Sequence, residues 1–359
     1  MAANNDWEQA KHQLRTSVEF VHNSNLYFQP APAVADEKAA AMLQYNWLGL
    51  FEGYGLALPV SIKSGRYADE SVLNSTDYQL SPALKLFLSD AADLTVQSHW
   101  QRELLLAGSG KAEFLDVSQK SLTDEQKLLQ LSLQLGRAPD KQNLKLSVGR
   151  MLNEQHSQTQ QLTAQQANFL KTDYGHRLNE NTSLLLNAEM RREQQDQTPS
   201  ELQQLGAGWS SRVGGSQQFQ LIAGRFWRNT AQQQSSGSYW QVQNLSKLSQ
   251  QWQLELLTSR NSVLSYATDS VSQLDTRHSA SLAYQWNDAH QISLILARNL
   301  AKLDQQQLQR RRLELAFDWH WQLSTSWQQQ LKLQRAKIEQ RPEADKVATE
   351  VFWQVSRLW

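Results

Sequence analysis

The stretch Leu129-Gln130-Leu131-Ser132-Leu133-Gln134-Leu135 decides the fold. On a helix its leucines would point to opposite sides; on a strand they share one face, with Gln130, Ser132 and Gln134 on the other. Good helix formers surround it, but propensity is a weak prior and the period is 2. The same alternation recurs in both directions along the chain. Leu144, Leu146 and Val148 mark one apolar face, as do Leu184, Leu186, Ala188 and Met190, then Phe219, Leu221 and Ala223, then Trp252, Leu254 and Leu256. Ile292, Leu294 and Leu296 continue it, followed by Leu313, Leu315, Phe317, Trp319 and Trp321. Turn signals separate the runs: Glu52-Gly-Tyr-Gly55, Asp90-Ala-Ala-Asp93, Arg137-Ala-Pro-Asp140, Asn179-Glu-Asn181, Gly214-Gly215 and Asn287-Asp288.

A soluble sandwich or propeller would alternate as well, but with strands near five or six residues and apolar faces packed together. Here the runs reach about ten residues or more, and the second face is consistently Gln, Ser, Glu or Arg. That pattern predicts a transmembrane antiparallel up-and-down β-barrel of about 18 strands (16–18), with short periplasmic turns and longer extracellular loops. Its apolar side chains face lipid and its polar ones face the bore. The barrel domain spans 12–359 and follows a short periplasmic segment, 1–11. Pro82 falls inside a run and predicts a local irregularity, and the longest interruption is 107–126, whose Gly108-Ser-Gly110 allows it to bend inward.

Composition agrees. The 359 residues carry 35 basic and 35 acidic side chains, a balance that argues against nucleic acid as a partner. There are no cysteines, in keeping with life outside the cytoplasm. No run approaches the 18 or so apolar residues of a membrane helix, which says nothing against strands that need only every second residue apolar. Thirteen tryptophans suit interfacial girdles. The first residues lack a basic and an apolar export region and read as a mature start, and Asn25-Leu-Tyr-Phe-Gln29 reads as native sequence despite its likeness to a protease-tag site.

The last stretch of the chain alternates as well. Val347, Thr349, Val351, Trp353 and Val355 alternate with Ala348, Glu350, Phe352, Gln354 and Ser356, and the last residue is Trp359. This end resembles the closing strand of bacterial outer-membrane β-barrels. The resemblance implies that Trp353, Val355 and Trp359 form the signal read by the barrel assembly machinery. Arg357 departs from it, since that phase normally carries an apolar residue.

Counted outward from the tight turns, an arginine recurs in the apolar phase after about 9–11 residues, a climb of roughly 25 Å for a tilted strand. The set is Arg102, Arg150, Arg192, Arg225, Arg260, Arg298 and Arg335, with Arg311 joining from the loop side. Outward guanidinium groups at that height would meet lipopolysaccharide phosphates, which arginine binds in bidentate fashion. Outer-membrane lipid and lipopolysaccharide are therefore expected partners.

On the opposite phase, Arg310, Arg312, Glu314, Asp318 and His320 form one inward stripe, and Glu255, Asp275 and Arg277 also face in. They serve either as a charged constriction or as a ladder of cross-strand pairs that stiffens the wall. The eight histidines show no metal-ligand spacing, and neither a nucleophile elbow nor a phosphate loop occurs. No enzyme activity, metal or cofactor is expected. A bore of this size needs a plug or stays open. Size and an amide-rich lumen resemble stand-alone barrels that export polysaccharide, which would imply periplasmic export partners. A general or substrate-specific diffusion porin is the alternative, and a non-conducting docking barrel the third.

Overall fold

A computed structural model describes residues 12–27, 29, 32–106, 121–136, 141–156, 161–195, 198–230, 234–264, 272–303, 309–340 and 345–359. The expected N-terminal segment 1–11 and the Gly108-Ser-Gly110 bend lie outside them. The strands are β1 (His12–Asn23), β2 (Asp36–Phe51), β3 (Tyr54–Tyr67), β4 (Ser75–Leu80), β5 (Ala83–Ser89) and β6 (Ala92–Leu106). They continue as β7 (Ser121–Leu135), β8 (Gln142–His156), β9 (Gln161–Arg177), β10 (Thr182–Gln195), β11 (Thr198–Val213), β12 (Gln217–Thr230) and β13 (Gln234–Lys247). The last six are β14 (Trp252–Leu264), β15 (Ser272–Asn287), β16 (His290–Leu303), β17 (Gln309–Gln322), β18 (Trp327–Gln340) and β19 (Lys346–Leu358).

Each strand pairs antiparallel with its sequence neighbours, and β1 pairs with β19, so the sheet closes on itself and leaves no edge. β4 and β5 are halves of one wall position, because both pair with β3 on one side and β6 on the other. The wall therefore has eighteen positions. The break falls at Ser81-Pro82, where proline has no N–H to give the ladder. Neighbouring groups still find partners: Ser81 N–H donates to the Pro59 carbonyl and Ser98 N–H to the Pro82 carbonyl, both at 3.0 Å.

One end of the barrel carries the tight turns. Gly53, Gly214 and Gly215 have φ of 85°, 54° and 69°, which side chains with a Cβ adopt only under strain. At the other end several stretches whose apolar alternation fades are nonetheless strand. Ser121–Gln126 belongs to β7 and pairs with Gln101–Leu106, and Asn153–His156 pairs with the start of β9. Above the apolar belt the inward phase is buried, Leu122, Asp124, Asn153 and Gln155 included, while the outward phase turns polar, so the alternation is lost although the ladder hydrogen bonds persist.

At this loop end Leu26, Tyr27 and Leu73 bury themselves against Val34, Tyr67, Leu104 and Leu106. Asp36 ties the same rim together, its carboxylate accepting from the amides of Glu37, Asp69 and Glu70. Burial and the neighbouring Glu70 push the Tyr27 hydroxyl above its ordinary value.

Candidate functional site in the lumen

Cross-strand partners share a face, so register assigns every side chain to lipid or bore. On β17, Arg310, Arg312, Glu314, Asp318 and His320 share the phase opposite exposed Leu315. They do not converge on one point. Arg310 is buried near the loop end, Arg312 pairs with Glu314 at 3.4 Å, and Asp318 holds His320 at 3.3 Å and Gln330 at 2.9 Å nearer the turns. Glu255 accepts from Gln243 at 3.0 Å and Asp275 from Gln273 at 2.8 Å, while Arg277 sits in register with Ser259 and Asn299. These contacts form a ladder running along the wall.

The convergent group lies elsewhere. Arg228 on β12 and Glu193 on β10 face inward and form an ion pair in which neither side chain is exposed. Arg228 Nη1 also donates to Ser200 Oγ and its Nε to Ser262 Oγ, both at 3.1 Å. Arg191 stands between Glu189 and Glu193, 3.4 Å from the latter, and so extends the network down β10.

Ser262 reveals why the group matters. It belongs to β14, two wall positions from β12, and lies in the phase that faces lipid lower down. Among the described residues the β13–β14 ladder stops at Trp240↔Arg260, while β14 and β15 stay paired up to Leu264↔Ser272. Above that point β14 and β15 part from β13 and lean into the bore, while β15 keeps its pairing to β16 up to Gln273↔Leu303. Leu274, also in the lipid-facing phase, packs on Leu202, Phe226 and Tyr239, the inward side chains of β11, β12 and β13. The outer face of the hairpin thus covers the inner face of the wall, with a small apolar seal and a buried guanidinium latch.

Tyr239 itself lies flat against the wall. Its hydroxyl donates to Asn187 Oδ1 at 2.7 Å, across Gly224 and Gly206. A Cβ on Gly206 would stand 2.1 Å from that hydroxyl, so glycine is what lets the ring cross the neighbouring strands. Towards the turn end the bore has an amide-lined recess of about 230 Å³, formed by Gln13, Arg15, Gln44, Asn46, Ser61 and Gln79. Sequence reasoning missed Glu193, Arg228, Ser200, Ser262, Tyr239 and Arg15. For Arg228 the phase of Gln218 and Gln220 was the available signal.

On the outer face all eight arginines expected there point outward. Arg150 is in register with Leu129, Arg225 with Leu205, Arg335 with Leu315, Arg298 with Leu313 and Arg311 with Leu300. Arg192 is itself exposed, Arg260 stacks on outward Trp240 at 5.2 Å, and Arg102 is in register with exposed Tyr78. Register also gathers Glu125, Glu154 and His156 within 4.8 Å of one another beside Arg102, a grouping no local spacing shows. The turn end of the outer face is aromatic instead: Trp209, Trp252, Trp286, Trp319, Trp321 and Trp327 gather there, with Trp252 and Tyr284 at 4.5 Å. Between girdle and arginines runs a belt of exposed leucines such as Leu186, Leu256 and Leu296. A closed wall that turns leucine outward all round is built for lipid.

Solved structures share this wall. The chain is similar to the outer-membrane protein OpdK of Pseudomonas aeruginosa, at a TM-score of 0.56 and 12% identity over 97% of this chain and 99% of that one. OccK2 (OpdF) of the same organism aligns at a TM-score of 0.57 and 11% identity, over 98% of each chain. OccAB4 of Acinetobacter baumannii aligns at 0.55 and 10%, over 98% and 99%. The fold is that of a bacterial outer-membrane β-barrel. At such identity the likeness is one of fold. No protein-family model matches the chain, and no curated protein does. Such a barrel belongs in a bacterial outer membrane, with its leucine belt facing lipid.

Arg357, the departure noted in the closing strand, has a physical account in the barrel wall. Its guanidinium lies 3.5 Å from the Trp359 ring and 5.3 Å from that of Trp327, inside the turn-end girdle. A stacked cation belongs at that interface. Trp359 is anchored in turn by its amide to the Leu14 carbonyl at 2.8 Å and its indole to Thr16 Oγ1 at 3.1 Å.

Proposed function

We propose that this barrel is a non-enzymatic, solute-selective diffusion channel for small hydrophilic molecules. The observation that carries it is the inward β14–β15 hairpin, latched by Arg228 and Ser262 above an amide-lined lower bore. A barrel of eighteen positions is too wide for wall side chains alone to fill, so a folded-in element is what would narrow it to solute size. Below it, the recess around Arg15, Gln44 and Asn46 offers donors and acceptors to a passing solute without enclosing it.

Polysaccharide export, the first expectation from size and lumen chemistry, is not supported. The structural likeness is to porins, and a long chain would have to thread past a hairpin packed on the inner wall. Liposome swelling with a graded series of uncharged sugars tests the proposal. Monosaccharides and disaccharides should enter liposomes bearing the barrel, and long oligosaccharides should be excluded. Equal passage of all sizes would overturn selectivity, and no uptake of any would overturn the channel and favour a docking barrel.

A further inference from the structure

The arginine ring is not uniform. On the outer face of β15–β18 it borders a concave groove of about 590 Å³. The groove's apolar lining is formed by Ala280, Leu296, Leu313 and Leu315. Ala280 makes the dip: its register neighbours Leu256 and Leu296 are leucines, so one row of the belt is missing a side chain's depth. Arg298 and Arg335, with Lys337, line the same cavity.

The cations differ in what they are free to do. Lys337 is engaged by Glu339 at 2.9 Å and Asp345 at 2.7 Å, and Arg311 by Glu339 at 3.5 Å. Among the described residues neither Arg298 nor Arg335 has a carboxylate within ion-pair distance. Two guanidinium groups with no carboxylate partner among the described residues, above a leucine-lined hollow, are complementary to a molecule with acyl chains below and phosphate above. Height names the leaflet. Arg298 lies eight residues beyond His290, which packs in the Trp319–Trp321 girdle, a climb of roughly 20 Å across the belt. The cations stand at the loop-end interface, far from the turn-end leaflet.

We propose that this groove is a specific site for one phosphorylated, multiply acylated glycolipid of the outer leaflet. Its phosphate sits between Arg298 and Arg335, and one acyl chain lies over Ala280. The inference goes beyond the channel function and is independent of it.

Native mass spectrometry of the intact barrel in detergent, titrated with bisphosphorylated lipid A, tests it. Wild type should retain one glycolipid at concentrations where the Arg298→Ser, Arg335→Ser double variant needs about tenfold more. Ala280→Trp, which fills the hollow and leaves the charges, should lose retention as well. Dephosphorylated glycolipid should bind no better to wild type than lipid A does to the double variant. Heat-modifiable gel mobility stays at the wild-type level in both variants, which reports a folded barrel whatever the lipid result. Unchanged retention in both variants would overturn the site, and so would equal retention of phosphatidylglycerol, which would make it a general anionic-lipid surface.

Discussion

Neither Arg228 nor Glu193 exposes any of its side chain, and their pair is held by Ser200 and Ser262 besides. A charge in such a place is stable only while its partners stay, so removing one exposes the desolvation cost of the other. Arg228→Met should therefore destabilise the barrel by about 3 kcal/mol, towards the low end for a buried pair because Arg191 remains near Glu193. Urea unfolding followed by tryptophan fluorescence measures it. The same substitution releases Ser262 and should let larger sugars through in the swelling assay, whereas Ser200→Ala, which leaves the hairpin latched, should not. Gly206 makes a second case, since a Cβ there would sit 2.1 Å from the Tyr239 hydroxyl and 2.5 Å from Asn187 Oδ1. Gly206→Val should displace the ring and cost about 1–3 kcal/mol of overpacking, read in the same unfolding experiment. At this scale the sequence was legible where phase alone decides. Arg150 and Arg298 show their direction by keeping step with leucines. Arg228 keeps step with Gln218 and Gln220 and Glu193 with Asn187 and Glu189, and nothing local says that strands two positions apart bring them together.

Strands were legible to the extent that lipid imposes a pattern on them. β7 reads itself from Leu129 to Leu135 but is silent through Ser121–Gln126, where buried Leu122 and Asp124 share one phase and polar Thr123 and Glu125 the other. The β14–β15 hairpin hides for the opposite reason. Ser262 and Leu274 continue the lipid-facing phase without a break, but the hairpin has bent inward, so that phase lands on Leu202, Phe226 and Tyr239. Alternation cannot distinguish a leucine meant for lipid from one meant for the inner wall. The closing strand carries its own expectation. Removing Trp359 deletes its amide bond to Leu14, its indole bond to Thr16 and the stacking partner of Arg357. Barrel recovered in the outer membrane should fall several-fold on deletion, by about one to two orders of magnitude in the assembly equilibrium if about 2 kcal/mol is lost. Trp359→Phe, which keeps the amide bond and an aromatic face, should restore most of it. Heat-modifiable mobility on gels counts the folded fraction in each strain.

Across the whole molecule, fold class, closure and the two interfaces follow from one constraint. A spanning wall must satisfy every backbone group internally and present apolar side chains to lipid on one face only. Closure of β1 on β19 meets the first requirement, and the leucine belt between the tryptophan girdle and the arginine ring meets the second. What lies inside is under no such periodic constraint, so the bore's geometry came from the structure. That bore is the centre of the account, and single-channel recording from purified barrel in planar bilayers tests it most directly. Wild type should give small, stable open events, and Arg228→Met should give larger ones as the hairpin leaves the bore. Membranes that stay at baseline conductance despite inserted, heat-modifiable barrel would contradict it.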